Sequence, residues 1–429
     1  KAEKSILKLL DEAEVRPEEI DNVKNIKDFH EKAANIKNKR GVIETIKKVG
    51  SGSKEIQEGL GINKINKWFI NALLSNPKTH MINMTSNLIM AVIRPMELYV
   101  GGVIKGDKSS RIEAIETTIG LFKYYQDSLQ VARRAFQQAD SVLDKGNFKV
   151  DIPEGLIGKD FSELGVAGKI EKGVEIPTRL LSAEDEFFKQ INFRSKVYAQ
   201  SVAEGLRKGL SRKRVFQTTD GRKYSELDKF VEDNFATAFE RNGEATKKFK
   251  VALEYAQENT FTKGLGQGTV GKGVQSFVNT VPILRQIMPF VRTPVNIMRA
   301  VQDRTPLGFA RKQFRDEYFS NDPTIAAGAR GKLAMGTALM ASGLLLANNG
   351  TITGAVPKNK HLRRQKMDTG WKPYSLHIGD KYYSFERFGG GSITISAPLY
   401  FIPIENGGFS SSSLDSTTIA NMIAAAGGG

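Results

Sequence analysis

Apolar residues recur at helical intervals along most of the chain, and strand-like alternation is confined to one short stretch near its C-terminal end. In the N-terminal arm Ile6, Leu9, Leu10 and Ala13 make one stripe and Ile26, Phe29, Ala33 and Ile36 another, with Pro17, Glu18 and Glu19 as a helix start. Trp68, Phe69, Ala72 and Leu73 then share a face. Asn76-Pro77 opens a further helix in which Met81, Met84, Leu88, Val92 and Pro95 keep helical spacing, widened by Ile82, Ile89 and Ile93. Arg94 and Glu97 interrupt that run, which predicts a helix buried on most sides instead of a lipid-spanning one. Ile112, Ile115, Ile119, Phe122, Leu129, Ala132 and Phe136 predict one long amphipathic helix over 110–147, ended by Gly146.

Residues 148–178 read as a loop carrying Gly and Pro. Ser182-Ala-Glu184-Asp185 then has the form of a capping box, so a helix is predicted to start there, with Glu184, Asp185 and Glu186 complementing its dipole. Phe187, Phe188, Ile191, Val197 and Tyr198 follow on it. Residues 225–257 are helical in pattern, and the glycines from Gly264 to Gly273 form a hinge. Tyr374, Leu376 and Ile378 alternate up to Gly379-Asp380, and Tyr382, Ser384 and Glu386 return, which predicts a β-hairpin. The expected fold is mainly α, an elongated multi-helix assembly with this small hairpin near the C-terminus. Its divisions are a charged helical arm over 1–60, a helical body over 61–260 and the hinge over 261–275. An apolar helical segment over 276–356 follows, then a basic loop, hairpin and small-residue tail over 357–429.

The apolar segment concentrates the unusual patterning. Arg285, Arg292 and Arg299 recur every seventh residue among apolar neighbours, with Pro289 and Pro294 bending the backbone. They make either a solvated charged face or a set of helix-pairing contacts to acids on a neighbouring helix or subunit. The run Leu333–Ala347 has 15 residues and no charge, short of the ~20 that span a bilayer. Leu333, Gly336, Ala338, Ser342, Gly343 and Leu346 mark it as a packing or membrane helix, since small residues at four-residue spacing allow close helix approach. The basic residues Lys358, Lys360, Arg363, Arg364 and Lys366 follow it and suit an anionic membrane surface. A buried core helix fits the same run.

Composition narrows the partners. The chain has 429 residues, a net charge of +16 and 40% hydrophobic residues, enough for a sizeable core and a field that attracts polyanions. It contains no cysteine, which excludes disulfides, thiolate metal sites and cysteine nucleophiles. It begins at Lys1, as expected of a piece of a longer product, and residues 1–10 lack the apolar core of a signal peptide.

No catalytic constellation emerges. His30, His80, His361 and His377 are too scattered for a ligand motif, so no metal is expected. Gly264-Leu-Gly266-Gln-Gly268-Thr-Val-Gly271-Lys272-Gly273 lacks the Gly-Lys-Ser/Thr ending of a phosphate loop and follows no apolar strand. No cofactor is expected, and the chain is read as a non-enzyme.

Four phrases occur in order: Leu73-Leu-Ser-Asn-Pro77-Lys-Thr-His-Met-Ile-Asn-Met-Thr-Ser-Asn87-Leu88; Ala183-Glu-Asp-Glu-Phe-Phe-Lys189; Pro289-Phe-Val-Arg-Thr-Pro294-Val-Asn-Ile297; and Thr369-Gly-Trp371-Lys-Pro-Tyr-Ser375 with Ile378-Gly-Asp-Lys-Tyr-Tyr-Ser384. Over roughly 65–390 the chain resembles the large polyvalent-protein-associated region of bacteriophage internal virion proteins. That resemblance implies a structural core or ejection protein, housed in the virion interior, released with the genome and helping form a conduit in the host cell envelope. It implies a homo-oligomer, other virion or portal proteins, phage DNA bound nonspecifically and the host membrane as partners, and it carries no catalytic residues onto these positions. The alternatives are a DNA-associated part of a virion polymerase, or another ejected protein acting on nucleic acid or on a host target.

Overall fold

A computed structural model describes residues 62–138, 140–144, 166–213, 215–217, 223–265, 275, 290–354, 356–357, 359–384, 404–405 and 408–409. The chain is mainly α-helical, with three two-stranded antiparallel hairpins among the described residues. The N-terminal arm, most of the glycine hinge, Arg285, Lys358 and most of the C-terminal tail lie outside them.

The first helices are α1 (Ile62–Leu74), α2 (Pro77–Ile104), α3 (Lys108–Lys123) and α4 (Tyr125–Gln138). Asn76 caps α2 by accepting from the Lys78 amide at 3.0 Å, with Pro77 in the first turn where its missing N–H costs nothing. Asp107 caps α3 through the Ser109 and Ser110 amides. The single helix predicted over 110–147 is in fact two, because the chain breaks at Tyr124. The tyrosine is buried there, stacked on Phe235 with ring centroids 4.8 Å apart.

Helix α5 (Val166–Arg207) runs 42 residues and is the axis of the fold, packing against α1, α3 and α4 as well as α6 (Glu226–Ala236) and α7 (Lys250–Asn259). The predicted start at Ser182 is overturned. Ser182 lies mid-helix, its hydroxyl donating back to the Thr178 carbonyl at 2.9 Å. Glu184, Asp185 and Glu186 are therefore buried mid-helix acids and not caps. A capping box and a polar stripe facing inward look alike in sequence; only the neighbours distinguish them.

Two apolar clusters form around the second half of α5. Phe193 and Val197 pack with Leu143, Ala238, Phe249, Ala252 and Ala256. Tyr198 and Val202 pack with Tyr124, Leu227 and Val231. Between α5 and α6 lies a hairpin of β1 (Val215–Gln217) and β2 (Lys223–Ser225). Ser225 then caps α6, accepting from the Asp228 amide.

After the hinge come α8 (Arg292–Gln302), α9 (Lys312–Tyr318) and α10 (Pro323–Asn348), the last capped by Asp322 through the Thr324 and Ile325 amides. Helix α10 crosses α2 with backbones in contact. A Cβ on Gly331 would sit 1.7 Å from the Glu97 carbonyl oxygen, and one on Gly101 1.7 Å from that of Ala327. Only hydrogen fits at either position, the small-residue crossing of closely packed helices. Helix α11 (Lys360–Asp368) precedes the predicted hairpin, which forms as β3 (Ser375–Ile378) and β4 (Lys381–Ser384) around Gly379 at φ +59°. A last pair, β5 (Ile404–Glu405) and β6 (Gly408–Phe409), follows.

Candidate functional site: apolar helix faces outside, polar seam inside

Helix α2 is packed the opposite way to the expectation from its sequence. Met81, Met84, Leu88, Val92, Met96, Tyr99 and Val103, spaced three and four apart, all face outward, from 42% exposed at Tyr99 to 68% at Met81. Its inner face buries His80, Ser86, Asn87, Glu97 and Gly101, alongside Met90, Ala91, Pro95 and Leu98. The prediction of a helix buried on most sides therefore fails. Much of the apolar stripe that predicted the helix over 110–147 also faces outward. Ile115, Ile119, Phe122 and Leu129 are exposed, Phe122 by 82%, while Glu113, Glu116, Thr117 and Gly120 are buried. On α1, Trp68 and Leu73 point out and Asn71 points in.

Polar groups between these helices satisfy one another. Asn71 Oδ1 accepts from the Thr178 hydroxyl at 2.7 Å and its amide at 3.2 Å. His80 Nε2 bonds the Leu74 carbonyl at 2.8 Å and Nδ1 faces Glu184 Oε1 at 2.9 Å. A carbonyl only accepts, so the Leu74 bond fixes Nε2 as the donor and turns Nδ1 to the Glu184 carboxyl. Asn83 Nδ2 donates to Glu184 at 3.0 Å and Asp185 at 3.2 Å. Burial pushes the Glu184 carboxyl above its ordinary range, opposed by the Asn83 hydrogen bond and the His80 charge.

The seam continues along α5. Arg179 pairs with Glu175 at 2.9 Å and donates to the Gln137 carbonyl at 2.6 Å, satisfying the C-terminal end of α4. Glu186 accepts from the Ser141 hydroxyl and the Leu143 amide, and Lys189 pairs with Asp144 at 2.7 Å. Lys196 meets Glu113 of α3 at 2.6 Å. From α2, Glu97 receives the guanidinium of Arg304 through two bonds of 2.7 and 3.0 Å, the strong bidentate form.

In water this arrangement is unfavourable on both sides. Fully burying one Leu- or Met-sized side chain is worth ~1.5–3 kcal/mol, so the α2 stripe leaves on the order of 5–10 kcal/mol unrealised. A buried ion pair gains little over apolar residues of the same volume. In hydrocarbon the outer stripe is solvated by chains of its own kind, and the inner groups already have partners. The stripe from Met81 to Val103 measures ~33 Å at 1.5 Å per residue, close to the ~30 Å of a bilayer core. Among the described helices α2 alone is long and apolar enough to cross a membrane.

The residues singled out by sequence are dispersed. Leu333 is half-buried and Gly336 buried, where a Cβ would lie 1.9 Å from the Arg304 carbonyl oxygen. Ala338, Ser342 and Leu346 are exposed and Gly343 is buried. Arg292 and Arg299 are both half-buried on α8, and Arg299 has no carboxylate at ion-pair distance among the described residues. Lys360, Arg363, Arg364 and Lys366 lie on α11, which buries no residue. Among the described residues no group of three His, Asp or Glu side chains is placed to hold a metal.

A signal for the inverted helix was present in the sequence. An outward face of a water-facing helix normally carries Lys and Glu; the stripe of α2 from Met81 to Val103 carries none, and Arg94 and Glu97 lie on the other side. No family model, curated protein or solved structure matches this chain.

Proposed function

We propose that the chain is a structural internal virion protein of a bacteriophage, an ejection protein that leaves the particle with the genome. In this reading it seats as an oligomer in the host envelope through the outer faces of α2 and α3, as part of a conduit. The observation that carries it is the inverted polarity of α2, with an uncharged stripe of bilayer length outside and paired polar groups inside. The resemblance of the ordered phrases to internal virion proteins suggests the biological setting. The small-residue crossing of α2 and α10 agrees with helix packing in lipid. The weight thus moves from Leu333–Ala347 to α2, with α10 as its buttress.

Flotation and dye release from vesicles test it. The full chain should float with neutral and anionic vesicles and release dye. The double substitution Leu88→Glu and Val92→Glu should cut partitioning by more than about 1,000-fold, since each charge at mid-bilayer costs ~2.5–3.5 kcal/mol. Unaltered flotation of that variant would overturn the reading.

A second reading has its own observation. The strongly basic α11, which buries no residue, fits the phosphate backbone of packaged DNA. Steeply salt-dependent DNA binding, lost on replacing Arg363 and Arg364, would favour a DNA-associated role.

A further inference from the structure

On the side of α2 away from its stripe, a cleft of about 40 Å³ opens among α2, α7, α8, α9 and α10. One water needs ~10–15 Å³ on this measure, so the cleft has room for about three waters or one tetrahedral oxyanion. Its walls bring six cations together, and five of them have carboxylate partners. Arg94 pairs with Glu258 at 2.7 Å, and Lys263 with Glu258 at 2.8 Å and Glu254 at 3.1 Å. Arg304 pairs with Glu97, Arg311 with Asp303, and Lys332 with Glu317 at 3.1 Å.

The sixth cation is Arg299. Its side chain has one hydrogen bond, a long one of 3.4 Å to Asn296 Oδ1, and Asn296 spends its amide on the Phe261 and Lys263 carbonyls. Arg311 lies against it, donating to the Arg299 carbonyl at 3.3 Å. Six cations therefore face five carboxylates, Glu97, Glu254, Glu258, Asp303 and Glu317, and the surplus charge sits on a half-buried guanidinium. A lysine in that place could shed its proton; an arginine cannot. The surplus calls for a counter-ion.

We propose that this cleft is a binding site for a phosphate-class oxyanion, held by Arg299 with Arg311 beside it. The guanidinium fork matches two oxygens of such a ligand. Burial and the neighbouring Arg311 charge hold Arg299 below its ordinary value against the opposing charge of Asp303, a strain that a bound anion relieves. The site stands apart from the outer stripe of α2, so its occupancy in neutral detergent is independent of whether the chain enters a membrane.

Equilibrium dialysis of the full chain in neutral detergent, with labelled inorganic phosphate against constant chloride, tests this. Saturable uptake of one phosphate per chain is expected. It should weaken about tenfold or more in Arg299→Met, the worth of a charge-assisted hydrogen bond, and far less in Arg299→Lys. The melting temperature of Arg299→Met without phosphate should match the parent, because no ion pair is lost; that shows the fold is intact. A parallel arm compares phosphatidylcholine vesicles with and without phosphatidic acid. Arg299-dependent uptake of inorganic phosphate assigns a free anion. An Arg299-dependent gain on phosphatidic acid alone assigns a lipid headgroup. Absence of both, or equal uptake by Arg299→Met and the parent, overturns the proposal.

Discussion

Helix α5 serves two regions that obey opposite rules. Its second half, with α6 and α7, closes over Phe193, Val197 and Val202 and keeps apolar groups inside. Its first half, with α1 and α2, closes over Thr178, Arg179, Glu184 and Asp185 and leaves Trp68 and Leu88 outside. Both are regular helical packing, so the difference is not one of order. It lies in the medium each surface suits, and it teaches that helical periodicity locates the two faces of a helix without saying which one turns inward.

The comparison is broken most sharply at the α2–α10 crossing. Gly331→Leu drives a side chain into the Glu97 carbonyl, which is backbone and cannot swing aside. The loss should exceed the ~1–3 kcal/mol typical of overpacking, seen as collapse of the thermal transition in circular dichroism. Next, Phe193→Ala should cost ~3–5 kcal/mol in denaturant unfolding and leave vesicle flotation intact, because it strikes only the conventional core. Breaking the buried pair by Arg304→Met alone should cost ~3–5 kcal/mol, while Arg304→Met with Glu97→Leu should recover most of it. An unrecovered double variant would mean that the inner face of α2 needs its charge for more than neutralising Arg304.

The smallest effect is one of pH. Burial raises the Glu258 carboxyl, but Lys332, Arg94 and Lys263 together outweigh it and hold the group well below its ordinary 4.5. A depressed carboxylate stabilises the fold above its unfolded value and loses that contribution as pH falls through the folded value. Melting temperatures of the parent and Glu258→Gln should therefore differ at neutral pH and converge as the pH drops below 4.5. A constant gap down to strongly acidic pH would contradict the assignment.

Much of the architecture could be read before the structure. The helices beginning at Asn76-Pro77 and Ser225, and the hairpin at Gly379-Asp380, follow from capping and turn chemistry that acts within a few residues. What failed depended on distant partners. Ser182 to Asp185 read as a helix start because nothing nearby shows that Asn83 and His80 receive those acids from about a hundred residues away. Tyr124 broke a helix for the sake of Phe235. Of the charged cleft, Arg299 was singled out for its spacing from Arg292, yet its significance comes from Arg311, which lies beyond the helix and which no periodicity relates to it.

The glycine crossing also sets a timetable. Gly101 and Gly331 lie 230 positions apart, so α2 leaves the ribosome long before α10 exists to brace it. At ~5–20 residues per second that interval is roughly 10–50 s, during which a helix with an uncharged apolar stripe waits without its partner. The newborn chain is therefore expected to need a holding chaperone through that window, and to aggregate when translation stalls between the two helices.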